Sequence, residues 1–218
     1  MITLSNVFLA YNKDYFALYD INLSLKKGER IGLIGAEGSG RTSLLRAIAG
    51  LEPNVKGELY LNDISIKKVN FATDLNLAYI SSKPVFIERK NVYDNLKYIL
   101  SQRNKDKTVW QDIIDKTLDK FGITHLRERR VDILTDAERK IVQMARASMR
   151  NIDILLVDDG FEQLSKDDAT LVLGKLKLLM ERKETTVIIA TDMPEAIKKL
   201  VTDMKYITLG SLGQKPQQ

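Results

Sequence analysis

Residues 30–50 restrict the possible folds more than any other stretch. Arg30 to Gly35 (RIGLIG) is a compact apolar strand ending in glycine, and Arg41 to Ala49 (RTSLLRAIA) has helical spacing and stops at Gly50, a favourable residue just past a helix end. Between them runs Gly35-Ala36-Glu37-Gly38-Ser39-Gly40-Arg41-Thr42. This meets the phosphate-loop pattern G-x-x-x-x-G-K-[ST], except that Arg41 stands where lysine is expected. Gly38 and Gly40 let backbone N–H groups turn inward and wrap an anion, and the following helix adds its N-terminal dipole. The Thr42 hydroxyl is suited to ligate Mg²⁺. A glycine-rich turn alone would be an ordinary turn. A glycine loop joining a buried strand to a helix is a phosphate site, with Gly35, Gly38, Ser39, Gly40, Arg41, Thr42 and Ser43 as its nucleotide-binding residues.

The rest of the chain fits around that unit. Val7 to Tyr11, Ile21 to Leu25 and Gly57 to Leu61 are short, β-prone and bounded by turn residues, which predicts an antiparallel N-terminal sheet. Val92 to Ser101, Val109 to Phe121 and Glu138 to Met149 read as helices. Ile154 to Val157 (ILLV) and Thr186 to Ala190 (TVIIA) read as buried parallel strands. Helices are predicted over Lys166 to Arg182 and Glu195 to Val201, and a last strand over Tyr206 to Leu209. Alternating strands and helices imply a parallel sheet.

Composition removes other classes. The 218 residues suit one domain, or one core with a small subdomain, and 44% apolar residues suffice for a sizeable core. Basic residues (34) and acidic residues (29) are interspersed, so the net charge of +5 reads as a solvated surface and no nucleic-acid partner is expected. With no cysteine there is no disulfide or thiolate zinc site, and the single histidine, His125, has no second histidine to share a metal. No apolar run approaches the ~20 residues of a spanning helix. Met1 to Tyr11 lacks the pattern of a signal peptide, so a cytoplasmic location is expected, with any membrane link made through a partner.

The segment Tyr11 to Gly50, with "INLSLKKGERIGLIGAEGSGRTSLLRAIAGL" around its end, resembles the opening of an ATP-binding cassette (ABC) transporter subunit, and "DILLVDD" at Asp153 to Asp159 is similar to that family's second nucleotide motif. The resemblance covers essentially the whole chain. It implies an α/β fold, a P-loop NTPase of ABC type: a mixed core sheet with an antiparallel N-terminal β part and a helical subdomain insertion. The core is expected at about 1–90 and 151–210, the helical subdomain at about 91–150, and a flexible tail at 211–218. It further implies ATP and Mg²⁺ as cofactors. The partners it implies are a second ABC domain, in a homo- or heterodimer, and a membrane-spanning transporter subunit that holds the chain peripherally at a membrane. Tyr11 matches the aromatic residue that stacks on adenine, although a tyrosine there could also serve a core. Asp158 matches the carboxylate that holds Mg²⁺ through water, so Thr42 and Asp158 form the expected metal site. A carboxylate ending a parallel strand lies where ligands bind in such sheets.

Several positions depart from the family. Arg41 replaces a compact point charge with a wide planar fork. Asp159 replaces the glutamate that positions the attacking water, and its carboxylate is one methylene short. Ser82, in Tyr79-Ile80-Ser81-Ser82-Lys83-Pro84, stands at the glutamine position of the loop that senses Mg²⁺ and touches the membrane subunit. Asp192 takes the place of the switch histidine, and an ionised carboxylate only accepts hydrogen bonds. The signature Leu-Ser-Gly-Gly-Gln becomes Leu134-Thr135-Asp136-Ala137-Glu138, in which Thr135-x-x-Glu138 reads as a capping box. Glu162-Gln163-Leu164-Ser165 departs from the turn that couples the two sites. These losses fall on both halves of a composite site, so weak or absent hydrolysis is expected. Two functions remain open: a transporter ATP-binding subunit of feeble activity, and an inactive scaffold or regulatory adaptor of a membrane complex.

Overall fold

In β1 (Ile2–Asn12) the apolar alternation runs Ile2, Leu4, then Val7, Leu9, and these four side chains are buried. A spacing of three between Leu4 and Val7 requires one extra residue in the strand. Asn6 supplies it at φ 47, with its N–H donating to Asn22 Oδ1 at 2.9 Å and its side-chain amide to Asp20 Oδ1 at 2.9 Å. Such a bulge keeps the apolar set on one face. β1 pairs antiparallel with β2 (Tyr15–Leu25) and with β4 (Lys56–Leu61), which pairs with β5 (Ile64–Ser65), in the order β2-β1-β4-β5. The three strands read from the sequence are present and longer than their apolar cores. In the computed structural model the residues described are 1–12, 15–71, 73–102, 106–158, 161, 164–208 and 210–213.

The second sheet has six strands: β3 (Arg30–Ile34), β6 (Leu77–Ile80), β7 (Ile154–Asp158), β8 (Thr186–Thr191), β9 (Asp203–Thr208) and β10 (Ser211–Gly213). Their order is β10-β9-β3-β8-β7-β6, with β3 parallel to both β8 and β9, and β7 parallel to β8. Every residue of β7 and β8 is buried, as expected for parallel strands covered on both faces. Between β3 and β4 lies α1 (Arg41–Ile48). It ends where Gly50, at φ 71, donates to Ala47 O at 3.1 Å and Leu51 donates to Arg46 O at 2.9 Å, the paired closure of a Schellman motif. Leu45 and Ile48 of α1 pack into a core shared with Leu33, Leu156 and Ile188.

The chain divides into two compact units. The first comprises Met1–Tyr79, Asp153–Asp159 and Arg182–Gln218 and holds both sheets apart from Ile80. The second comprises Ile80–Ile152 and Gly160–Glu181, with α2 (Val92–Ser101), α3 (Trp110–Phe121), α4 (Asp136–Ser148) and α5 (Lys166–Leu179). The helical unit is thus larger than residues 91–150, because α5 packs on α4. α4 begins two residues earlier than Glu138, since Thr135 is its cap. The helix expected over Glu195 to Val201 is a single turn, α6 (Pro194–Ile197), started by proline at its first position. The strand at Tyr206 begins at Asp203 and is not the last: Ser211 to Gly213, assigned above to a flexible tail, pair with Tyr206 to Thr208 as β10.

Candidate nucleotide site

The glycine loop departs from the end of β3, where Gly35 N–H meets Thr191 O at 3.4 Å. A Cβ on Gly35 would lie 2.4 Å from Ser39 Oγ and 2.6 Å from Ile207 O, so close packing demands glycine there. Gly40, at φ 102, would place a Cβ 2.5 Å from Ala17 O. Gly38 is different: it needs its positive φ of 76, but no atom lies within 4 Å of a Cβ built on it. Ser39 is buried, and its hydroxyl oxygen has no hydrogen-bond partner. No side chain caps the start of α1, whose N-terminal cap is Gly40. Arg41, the first residue of α1, is itself buried. An orphaned hydroxyl, an uncapped helix start and a glycine opening together fit a phosphate-sized anion.

The polar floor of the loop is Asp158, the last residue of β7 and only 3% exposed. Thr42 Oγ1 donates to its Oδ1 at 2.9 Å. The Tyr79 hydroxyl, from β6, donates to its Oδ2 at 2.8 Å. Burial first, then the neighbouring carboxylate, pushes the Tyr79 phenol well above its ordinary range, so it stays protonated and remains a donor. The Thr42 hydrogen is committed to Asp158, which leaves the threonine oxygen's lone pairs for a cation. A threonine hydroxyl beside a buried carboxylate is a hard oxygen donor set, and it fits Mg²⁺. Thr42 and Asp158, separated by 116 positions, are thus brought together.

Beside α1, Tyr11 lies near the end of β1 and is 54% exposed. Its hydroxyl is 3.2 Å from Ser43 Oγ and donates to Glu52 Oε1 at 3.3 Å. The same Glu52 oxygen accepts from Arg46 Nε at 2.5 Å, and the Glu52 side chain is only 8% exposed. That carboxylate is the first cause holding the Arg46 guanidinium above its ordinary range. Tyr11 is thus tied to the first turn of α1 through Ser43.

Asp192 follows Thr191, whose carbonyl meets Gly35 N–H at the start of the loop. Asp192 is exposed, just beyond β8, while buried Thr191 accepts from Met193 N–H at 3.0 Å. Asp159, Glu162 and Gln163 fall outside the described residues. Ser82 belongs to the helical unit and is exposed, with its carbonyl accepting from Lys140 Nζ at 3.1 Å, whereas the adjacent Ser81 hydroxyl is engaged by Gln143 Nε2 at 3.0 Å. The altered signature forms a complete capping box: Glu138 N–H donates to Thr135 Oγ1 at 3.2 Å and Thr135 N–H to Glu138 Oε2 at 2.8 Å. Glu138 Oε1 also accepts from Arg129 at 3.3 Å. Both oxygens of that carboxylate are therefore engaged within the chain's own unit. Among the described residues no group of three or more His, Cys, Asp or Glu is placed to hold a metal, and exposed His125 lies in a 3₁₀ turn.

Sequence reasoning passed over three contributors. Tyr79 was legible only as a strand residue; its pairing with Asp158 follows from β6 lying beside β7 at the sheet edge. Glu52 sits after a helix end with no motif of its own. Gly210, which donates to Ser39 O at 2.9 Å and accepts from Tyr19 N–H at 2.8 Å, stands next to the expected tail and carries no motif of its own.

This arrangement agrees with comparisons to known proteins. The family model described as "ABC transporter" matches residues 18–162. The chain is 32% identical over 214 residues to an sn-glycerol-3-phosphate import ATP-binding protein of Psychromonas ingrahamii, covering 98% of this chain and 57% of that protein. A methionine import ATP-binding protein of Clostridioides difficile is 29% identical, with 92% and 63% covered. The chain thus spans less than two thirds of the length of these relatives. Its fold matches that of a dimeric bacterial ABC transporter cassette in a post-hydrolysis state bound to ADP and Pi, with a TM-score of 0.86 at 19% identity, covering 100% of this chain and 98% of that one. The structure of cbiO1 from Clostridium perfringens, described as part of the ABC transporter complex cbiONQ, gives a TM-score of 0.83 at 17% identity, with 98% and 86% covered. With a glycine loop, a threonine–aspartate floor, and a family match over most of its length, the chain belongs to the ABC transporter family.

Proposed function

We propose that the chain is an ATP-binding subunit of an ABC transporter complex, which binds ATP at its glycine loop and hydrolyses it weakly or not at all. The observation that carries the binding half is the Thr42–Asp158 hydrogen bond at 2.9 Å beneath an uncapped helix start. In this reading the N–H groups of residues 38–42 and the Arg41 guanidinium hold the phosphates. Thr42 and Asp158 hold the metal, Asp158 through water. The exposed Tyr11 ring receives the base, and Ser43 and Glu52 fix its orientation from the hydroxyl end. Bound Mg²⁺ would supply charge compensation for the phosphates. The relatives' names as import ATP-binding proteins support a role beside a membrane-spanning subunit and a second cassette. No helix among the described residues is long and apolar enough to cross a membrane, so this chain's own attachment would run through that subunit.

The weak-hydrolysis half rests on the substitutions. Phosphoryl transfer depends almost wholly on positioning and charge stabilisation. Asp159 shortens the reach to the attacking water, and Asp192 brings a negative charge where a donor serves the γ-phosphate. A second reading, a catalytically inactive scaffold or regulatory adaptor, is favoured by one specific observation: Thr135 and Glu138 cap one another and Glu138 also binds Arg129, so the signature segment is an ordinary helix start with Asp136 and Ala137 in place of the two glycines. Titration calorimetry with ATP and Mg²⁺ beside steady-state phosphate release separates the possibilities. Binding without release supports weak or absent hydrolysis. No binding at millimolar nucleotide removes the ATP-binding reading.

A further inference from the structure

We infer that Tyr79 is a positioning residue for the nucleotide-bound metal: its hydroxyl fixes the plane of the Asp158 carboxylate so that the oxygen lone pairs not used by Thr42 and Tyr79 face the cation's water. The inference rests on the reading of Asp158 as the metal-facing carboxylate. It starts from the fact that the carboxylate has two protein donors, one on each oxygen: Thr42 at 2.9 Å and Tyr79 at 2.8 Å. Each ionised oxygen offers two lone-pair sites, so each keeps one. A carboxylate held by one donor can swing about its Cβ–Cγ bond. Held from both sides it has a single plane, and its free lone pairs have fixed directions. Asp158 is 3% exposed, so bulk water does not replace a missing donor cheaply.

Tyr79 is rigidly placed for this task. It lies on β6, next to β7 in the sheet, and a tyrosine ring has only two side-chain torsions to restrain. Its hydroxyl donates directly to Asp158, whereas Arg46 and Glu52 act on it only through their charge. Its influence is therefore expected first on the metal. Metal-site ligands held by outer hydrogen bonds typically lose affinity by about 10- to 100-fold when those bonds are removed.

The test measures ATP affinity by calorimetry with EDTA and again with excess Mg²⁺, for the unmutated protein, Tyr79→Phe and Asp158→Asn. The expected result is that Tyr79→Phe keeps its metal-free affinity within about twofold while the gain from Mg²⁺ shrinks about tenfold. Asp158→Asn should abolish that gain. A full Mg²⁺ gain in Tyr79→Phe, together with its loss in Asp158→Asn, overturns the role of Tyr79 and leaves the metal reading intact. A full gain in both variants overturns the metal reading and the inference with it, as does an unmutated protein that gains nothing from Mg²⁺. A loss in Tyr79→Phe that is equal with and without Mg²⁺ marks a merely structural residue and also overturns the inference. The unmutated protein gives a second readout that does not depend on a variant folding: in tyrosine-labelled protein, the Tyr79 ring resonances should shift when Mg²⁺ is added to the ATP complex, and an unchanged spectrum overturns the inference.

Discussion

Arg41 carries the largest chemical change within the loop. A guanidinium presents a planar fork where a lysine would present a point, yet it sits at the first position of α1, buried, with its charge retained. If it clamps the phosphates, Arg41→Ala should weaken ATP binding by about 1.5–3 kcal/mol, the range for hydrogen bonds to charged groups. Calorimetry checks this, and equal affinity in the two proteins would show that the arginine fills the phosphate position itself. Gly40 gives a sharper case. Its φ of 102 and the 2.5 Å approach to Ala17 O leave no room for a methyl group, so Gly40→Ala should eliminate nucleotide binding. Gly38→Ala meets no obstructing atom and carries only the cost of a positive φ, about 1–2 kcal/mol. The two variants should therefore differ clearly in a thermal-shift assay with ATP. At this scale the sequence was legible wherever a motif fixes the spacing, as for Gly35, Gly40, Thr42 and Asp158. Tyr79 and Glu52 were not legible, because what they do depends on which strand lies beside β7 and where the chain turns after Gly50.

Among the elements, those with strong periodicity or full burial were read nearly to the residue: Val92–Ser101 and the two buried strands at 154 and 186. The errors fell where a terminus depends on its partner. α4 starts at Asp136 because Thr135 and Glu138 cap one another, and the helix after β8 stops after one turn. The capping box allows a direct measurement. Thr135→Ala should destabilise the helical unit by about 1 kcal/mol, typical of a lost N-cap. Trp110, the only tryptophan, lies buried in α3 of that unit, so a denaturation curve followed by its fluorescence reports the change. A variant as stable as the unmutated protein would show that the cap contributes nothing beyond geometry. The capping box also explains how a signature segment can lose both glycines and still start a helix: the orphan N–H groups that would face a phosphate are satisfied internally.

At the scale of the molecule, the isolated protein should release phosphate from ATP at or near background. Losing one positioned donor can cost about 100- to 1,000-fold, and several losses together exceed one without adding. Asp159→Glu alone should not restore turnover, since the segment from Thr135 to Glu138 is altered independently. Thr42→Ala serves as the control for contaminating ATPases. Turnover near one per second that vanishes in this control would overturn the weak-hydrolysis proposal.

Strand β3, which launches the glycine loop, lies between β8 and β9, and Ser39 within the loop accepts the N–H of Gly210. The loop's neighbours are thus residues 186–210, synthesised long after the loop itself. During translation, residues 35–42 leave the ribosome before β8, β9 and Gly210 exist. In the ATP-binding reading proposed above, nucleotide is therefore expected to stabilise the loop only after residues 186–210 have been made.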